Sequence, residues 1–112
     1  MEITSSIDGE VAVLSIAGRL DFATSENVEH AVTAAIEKGG RRVIFDMREV
    51  AYVSSAGLRA ILIAAKKAKS AGGGVAMFGL QAEVQEVFTT SGFGKIVPIV
   101  ASDAQAREKL GA

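Results

Sequence analysis

A regular alternation of short apolar runs with amphipathic helical segments constrains this chain most. Such alternation predicts a mostly parallel sheet whose strands are joined by crossover helices. The predicted order is β-β-α-β-α-β-α-β-α, in one α/β domain over residues 1–112, with helices packed against a mixed sheet of about five strands. The predicted strand runs are 2–7, 10–17, 43–45, 75–80 and 95–100, and the predicted helical segments are 24–40, 56–71, 82–92 and 102–110.

Glycine and proline mark where several of these elements turn or end. Asp8-Gly9 predicts a two-residue hairpin turn, because both turn positions favour positive φ. Gly18 is expected to end the second strand, and Gly39 to close the first helix in the left-handed conformation. Pro98 indicates that the last strand lies at an edge of the sheet.

Each of the longer helical segments carries an apolar stripe that we expect to face the sheet. Thr24 or Ser25 can cap the first helix, and Ser102 with Gln105 has the spacing of a capping box at the last. The expected stripes are Val28, Ala31, Val32, Ala35 and Ile36 in the first helix, Leu58, Ile61, Leu62 and Ala65 in the second, and Val84, Val87 and Phe88 in the third.

Composition excludes several classes of function. The net charge is -1 and only five Phe and one Tyr are present, so neither a basic nor a base-stacking surface for nucleic acid is expected. The absence of cysteine removes disulfides, thiol chemistry and zinc-thiolate sites. No apolar run is long enough for a membrane span, and no secretory signal is recognisable. We therefore expect a small cytoplasmic domain without metal, cofactor or membrane insertion.

The stretch VAYVSSAGLRAIL, residues 50–62, places Ser54 and Ser55 just before a helix. One hydroxyl is expected to cap that helix. The other would lie at the positive end of the helix dipole, beside N–H groups without intrahelical partners, where a phosphate is accepted with little damage to the fold. A phosphate would add a charge of about -1.5 to -2 to a local surface that is expected to have none, so the position can carry a switch that changes binding without unfolding the domain.

A serine hydrolase is an alternative reading of the same stretch. The pattern lacks the first glycine of a G-x-S-x-G elbow, and the only histidine, His30, precedes the serines, whereas that elbow places it last. No base is therefore available for a triad, and we expect no esterase activity. Arg59 follows Ser55 by four residues on the same helix, where it either faces a phosphate or a partner or is simply solvated.

The chain resembles the STAS domain family, in particular the free-standing anti-sigma factor antagonists. The residues that carry the resemblance are GRLD at 18–21, FDM at 45–47 and YVSSAGL at 52–58, followed by Ile61 and Leu62. The resemblance covers nearly the whole chain and implies a single-domain STAS-like fold without enzymatic activity.

This resemblance implies a regulatory cycle. The antagonist binds an anti-sigma factor, which is an ATP-dependent serine kinase, and so releases a sigma factor. The kinase phosphorylates a serine at the N-terminus of the second helix, which ends the binding, and a serine phosphatase resets the protein. The family pattern commonly has an aspartate before that serine. When the pattern is aligned on Gly57 and Leu58, the modified residue is Ser55. Ser54 takes the place of the aspartate and is the second candidate for phosphorylation.

The resemblance also suggests which residues bind the partner. Asp21 matches an acidic residue expected near the serine, and Asp46 matches the acidic end of the third strand. The expected partner-binding residues are Asp21, Ser54, Ser55, Gly57, Leu58 and Arg59. The alternative within the family is a STAS module that is not phosphorylated and forms a fixed part of a stressosome-like or transporter-associated assembly.

Overall fold

The computed structural model describes residues 2–111 and confirms the predicted order of elements. The sheet is mixed, in the order β1-β2-β3-β4-β5, with β1 antiparallel to β2 and the other neighbours parallel. The strands are β1 Glu2–Asp8, β2 Val11–Leu20, β3 Arg42–Val53, β4 Gly74–Phe78 and β5 Ile99–Val100. The helices are α1 Ser25–Glu37, α2 Ser55–Ser70, α3 Ala82–Thr90 and α4 Asp103–Lys109, with a 3₁₀ turn at Phe93–Lys95.

Helices cover both faces of the central strands. In β3, Val43 and Phe45 belong to the main core, while Ile44 points to the opposite face and packs with Ala106 of α4. The apolar sides of α1, α2 and α3 all join the main core. Side chains alternate along a strand, so a run that is apolar at every position needs cover on both faces.

The β1–β2 hairpin turns one residue later than predicted. Asp8 pairs with Val11 in the ladder, so the two turn residues are Gly9 and Glu10. Of these two residues, only Gly9 has positive φ, at 61°. Within residues 2–111, every residue with positive φ is a glycine. Glycine at the first central position is the pattern of a type II′ turn, which needs positive φ only there.

β2 and β3 both extend beyond their predicted ends. Gly18 does not end β2, because its φ of 104° accommodates an irregularity in register beside Arg19 and the strand continues to Leu20. β3 runs on past Phe45 for a total of 12 residues. Pairing with β4 stops at Asp46, so the second half of β3 pairs only with β2 and exposes polar residues that mask the strand pattern.

Buried positions of the helices differ from the predicted stripes. In α2 the buried residues are small apart from Ile61, whereas Leu58, Leu62 and Ala65 are only half-buried at the edge of the core. Val87 of α3 is exposed. The buried residues are Val28, Val32 and Ala35 in α1, Gly57, Ala60, Ile61, Ala64 and Ala68 in α2, and Val84 and Phe88 in α3.

The predicted helix ends were confirmed in two places and wrong in one. Gly39 closes α1 with φ 93°, and Ser102 caps α4 by accepting a hydrogen bond from the Gln105 N–H at 3.2 Å. Neither Thr24 nor Ser25 caps α1 through its side chain. Both hydroxyls bond into the preceding turn instead.

The last strand is shorter than predicted. β5 contains only Ile99 and Val100, because residues 93–95 form a 3₁₀ turn. β5 does lie at the edge of the sheet, directly after Pro98. Within residues 2–111, no helix has the length and apolar character needed to span a membrane.

Candidate functional site

The carboxyl end of β2 fixes the start of α2. The Ser54 N–H donates a hydrogen bond to the Leu20 carbonyl oxygen, with an N···O distance of 2.9 Å. Gly57 is buried against the same residue: an added Cβ would overlap the Leu20 oxygen and lie 2.9 Å from Leu20 Cγ. Glycine therefore allows the first turn of α2 to pack directly on the end of β2.

The two serines have different environments. Ser54 is the N-cap of α2: its half-buried side chain accepts a hydrogen bond from the Gly57 N–H at 3.2 Å. Ser55 is the first helical residue and is exposed. Among residues 2–111, no acceptor bonds to the N–H groups of Ser55 and Ala56. A free hydroxyl thus lies beside two free N–H groups at the positive end of a helix dipole.

A tight turn between β2 and α1 lies beside these serines. The Asp21 carbonyl accepts hydrogen bonds from the Thr24 and Ser25 N–H groups, at 3.2 and 2.9 Å. The Asp21 N–H donates to Thr24 Oγ1 at 3.0 Å, and that hydroxyl lies 2.9 Å from the Arg19 carbonyl oxygen. These hydrogen bonds within the turn fix its backbone, and so fix the directions in which its side chains leave the backbone.

Ser55 lines two open grooves. The helix groove, about 480 Å³, lies between α1 and α2 and includes Phe22, Glu26, Glu29, Ser55, Arg59 and Ile63. The strand-end groove, about 580 Å³, lies over the carboxyl ends of β2 and β3 and includes Arg19, Asp21, Phe22, Tyr52, Ser54 and Ser55.

The surface around Ser55 is charged, contrary to the expectation from the local stretch. Arg19 lies 4.1 Å from the Tyr52 ring centroid and 3.6 Å from Asp21, measured from Cζ and from Nε to Oδ2. In the helix groove, Arg59 shares the walls with Glu26 and Glu29. Apart from Arg59, these charges come from β2 and α1, so the sequence directly around the serines did not show them.

The structure brings some of the predicted site residues together and separates others. Asp21 shares the strand-end groove with both serines, and Arg59 shares the helix groove with Ser55. Leu58 is half-buried and lines a different cavity, formed with α3. Gly57 is buried, so its side of the helix contributes packing rather than surface. His30 is exposed on α1 and lines neither groove.

Sequence reasoning missed Phe22. Its side chain is 84% exposed, and it lines both grooves that contain Ser55. Among the large apolar residues within 2–111, Phe22 is the most exposed, ahead of Ile96 at 58%. The available signal was a phenylalanine within a polar turn, directly after Gly18-Arg19-Leu20-Asp21.

Asp46 lies in the middle of β3 rather than at its end, and it lines neither groove. It is buried, with two hydrogen bonds from the Arg48 side chain at 3.0 and 2.7 Å and one from the Arg48 N–H at 3.1 Å. The Arg48 guanidinium lowers the pKa of Asp46 below its ordinary value of 3.8, against the opposing effect of burial. Asp46 thus has a structural partner of its own.

The family model of the STAS domain matches residues 2–106, nearly the whole chain. The chain belongs to the STAS domain family. Among its relatives, BtrV of Bordetella bronchiseptica, provisionally named an anti-sigma factor antagonist, is 37% identical over 103 residues. That match covers 91% of this chain and 88% of BtrV.

Solved structures show the same architecture. A crystal structure from Thermotoga maritima, provisionally named an anti-sigma factor antagonist, has a TM-score of 0.88 and 21% identity, covering 98% of this STAS domain and 95% of that chain. The Bacillus cell fate determinant SpoIIAA, solved in its phosphorylated form, has a TM-score of 0.72 and 19% identity, covering 96% and 98%. At these identities the likeness concerns the fold of the STAS domain.

Proposed function

We propose that this STAS domain is an anti-sigma factor antagonist, and that phosphorylation of Ser55 ends its binding to an anti-sigma factor kinase. The observation that carries the proposal is that the two adjacent serine hydroxyls have different roles. Ser54 caps α2, so Ser55 is free, exposed and unnecessary for the helix. The provisional name of BtrV supports the regulatory role.

Ser55 is a better acceptor of phosphate than Ser54. A phosphate on Ser54 would disturb the cap that bonds to the Gly57 N–H, and losing such a cap costs about 1 kcal/mol. A phosphate on Ser55 would lie beside the free N–H groups of Ser55 and Ala56, where the helix dipole favours negative charge. The modification would therefore be tolerated by the fold.

Arg59 gives the phosphate a charged neighbour. It lies one turn beyond Ser55 and shares the helix groove with it, and no ion pair within residues 2–111 engages its guanidinium. Glu26 and Glu29 on the opposite wall would repel a phosphate that turned into the groove. We infer that the phosphate is held towards Arg59 and the outer surface, in the path of a docking partner.

The partner in this proposal is an ATP-dependent serine kinase that sequesters a sigma factor, and a serine phosphatase reverses the modification. Unphosphorylated protein binds the kinase and releases the sigma factor. After transfer, the added charge of about -1.5 to -2 would have to be desolvated for the same surfaces to meet. An unpaired charge in an interface costs about 2 kcal/mol or more, which corresponds to a loss of affinity of at least about 30-fold.

Purified protein, mixed with the kinase of its own cell and ATP, tests the proposal. Mass spectrometry should locate the phosphate on Ser55. The Ser55→Ala variant should not be phosphorylated, and it should stay bound to the kinase in the presence of ATP. Ser55→Asp should keep the fold and bind at least about 30-fold more weakly. Ser54→Ala is the matched control, since it changes the adjacent hydroxyl and should leave labelling intact. Labelling of neither serine would contradict the proposal and favour the non-phosphorylated STAS module.

A further inference from the structure

We infer that Phe22 is the docking anchor of this STAS domain, and that it inserts into an apolar socket of the kinase beside its phosphoryl-transfer site. This inference rests on the proposed function. Its first support is exposure: 84% of Phe22 faces solvent, whereas the other phenylalanine side chains, Phe45, Phe78, Phe88 and Phe93, are all buried.

Position is the second support. Phe22 lines both the helix groove and the strand-end groove, and Ser55 lines both as well. A kinase must enclose the serine that it phosphorylates, because phosphoryl transfer depends on positioning and exclusion of water. A surface that closes over Ser55 from either groove therefore also meets Phe22.

The rigidity of the turn is the third support. The backbone on either side of Phe22 is fixed by the bonds of Asp21 with Thr24 and Ser25, and the Phe22 carbonyl accepts a hydrogen bond from Ser25 Oγ at 3.1 Å. An aromatic side chain with two χ angles on a fixed turn loses little conformational freedom when it binds. Buried aromatic anchors of this kind carry much of the energy of protein interfaces.

Phe22 acts on docking and not on the chemical step. It has no group that could take or give a proton, so its loss should raise the KM of the kinase for this protein and leave kcat unchanged. Docking through Phe22 would also be affected by phosphorylation of Ser55. A phosphate on Ser55, held towards Arg59 and the outer surface, would meet a kinase that closes over the two grooves and would hold its socket away from the Phe22 ring.

The test compares Phe22→Ala with Ile96→Ala. Ile96 is 58% exposed and lines the cavity beside Lys66 and Lys69, near the opposite end of α2, which at 16 residues is about 24 Å long. Both variants remove an exposed apolar side chain, so neither should change the unfolding midpoint. Phe22→Ala should weaken binding of the purified kinase about 30-fold, or about 2 kcal/mol, and Ile96→Ala should leave it unchanged. Phe22→Leu should restore most of the affinity.

The outcomes separate the inference from the function on which it rests. If Phe22→Ala binds and is phosphorylated like the wild type while Ser55→Asp fails to bind, Phe22 is not the anchor and the function stands. The inference also fails if Ile96→Ala loses as much affinity as Phe22→Ala. If the wild type does not bind the kinase, both proposals are wrong.

Discussion

Replacing Gly57 with alanine should disturb the close contact of α2 with Leu20, which helps to position Ser54 and Ser55 at the end of the sheet. The added methyl group would overlap the carbonyl oxygen of Leu20 and lie 3.1 Å from its carbonyl carbon. Both neighbours are backbone atoms at the end of β2, so no flexible side chain can move aside. Either α2 shifts away from the strand or β2 bends.

The magnitude of the stability loss follows from two costs and one gain. Overpacking of a well-packed site costs about 1–3 kcal/mol. The Leu20 oxygen also accepts the Ser54 N–H, and weakening that bond costs about 1 kcal/mol. Alanine recovers about 1 kcal/mol over glycine in a helix. The net loss of unfolding free energy is about 1–3 kcal/mol, or roughly 4–12 °C in Tm for a domain of about this size.

Gly94→Ala is the matched control. Its new Cβ would have nothing within 4 Å, and Gly94 does not have positive φ. This change should leave the stability the same or raise it by up to about 1 kcal/mol. Urea unfolding followed by circular dichroism measures both variants. If Gly57→Ala unfolds within about 0.5 kcal/mol of the wild type, the close approach of α2 to Leu20 does not exist as described.

Two further predictions concern the cap and the buried carboxylate. Ser54→Ala should lower the unfolding free energy by about 1 kcal/mol in urea, whereas Ser55→Ala should change it by less than about 0.5 kcal/mol; equal losses would contradict the assignment of the cap to Ser54. The pKa of Asp46 is lowered by Arg48, so the stability that this pair provides is complete above the unfolded pKa of 3.8 and is lost as pH falls through the lower folded pKa. The stability difference between the wild type and Arg48→Gln should therefore be largest above about pH 4 and should shrink towards pH 2 in acid titrations, and a constant difference would refute the coupling.

Periodicity predicted the order of elements because strand and helix patterns repeat locally along the chain. Periodicity gave wrong buried positions where the distance between packed elements decides which side chains fit in the core. In α2 the leucines were assigned to the core, but the helix lies so close to its neighbours that glycine and alanine occupy most of the buried positions. It failed again in β3, whose second half has a neighbour on only one side and therefore carries exposed charges.

At the candidate site, too, the features set by neighbouring residues were predictable from the sequence, and the features set by tertiary packing were not. That a serine caps α2 was predictable, because capping depends on residues within one turn. Which serine does so required the position of Leu20, which aligns Ser54 and leaves Ser55 outside. The grooves, and the exposure of Phe22 beside Ser55, depend on how the end of β2 meets the start of α2.

The proposed separation of a cap at Ser54 from a switch at Ser55 has an energetic consequence. Driving a complex from 99% formed to 1% formed requires about 5.5 kcal/mol. The hydroxyl of Ser54 contributes about 1 kcal/mol to the helix, and Ser55 contributes less, so a change in the stability of the domain cannot supply that amount. In the proposed switch, the free energy must therefore arise in the interface, where a phosphate on Ser55 would be desolvated and would hold the kinase away from Phe22. A domain that switched in this way would need no second conformation.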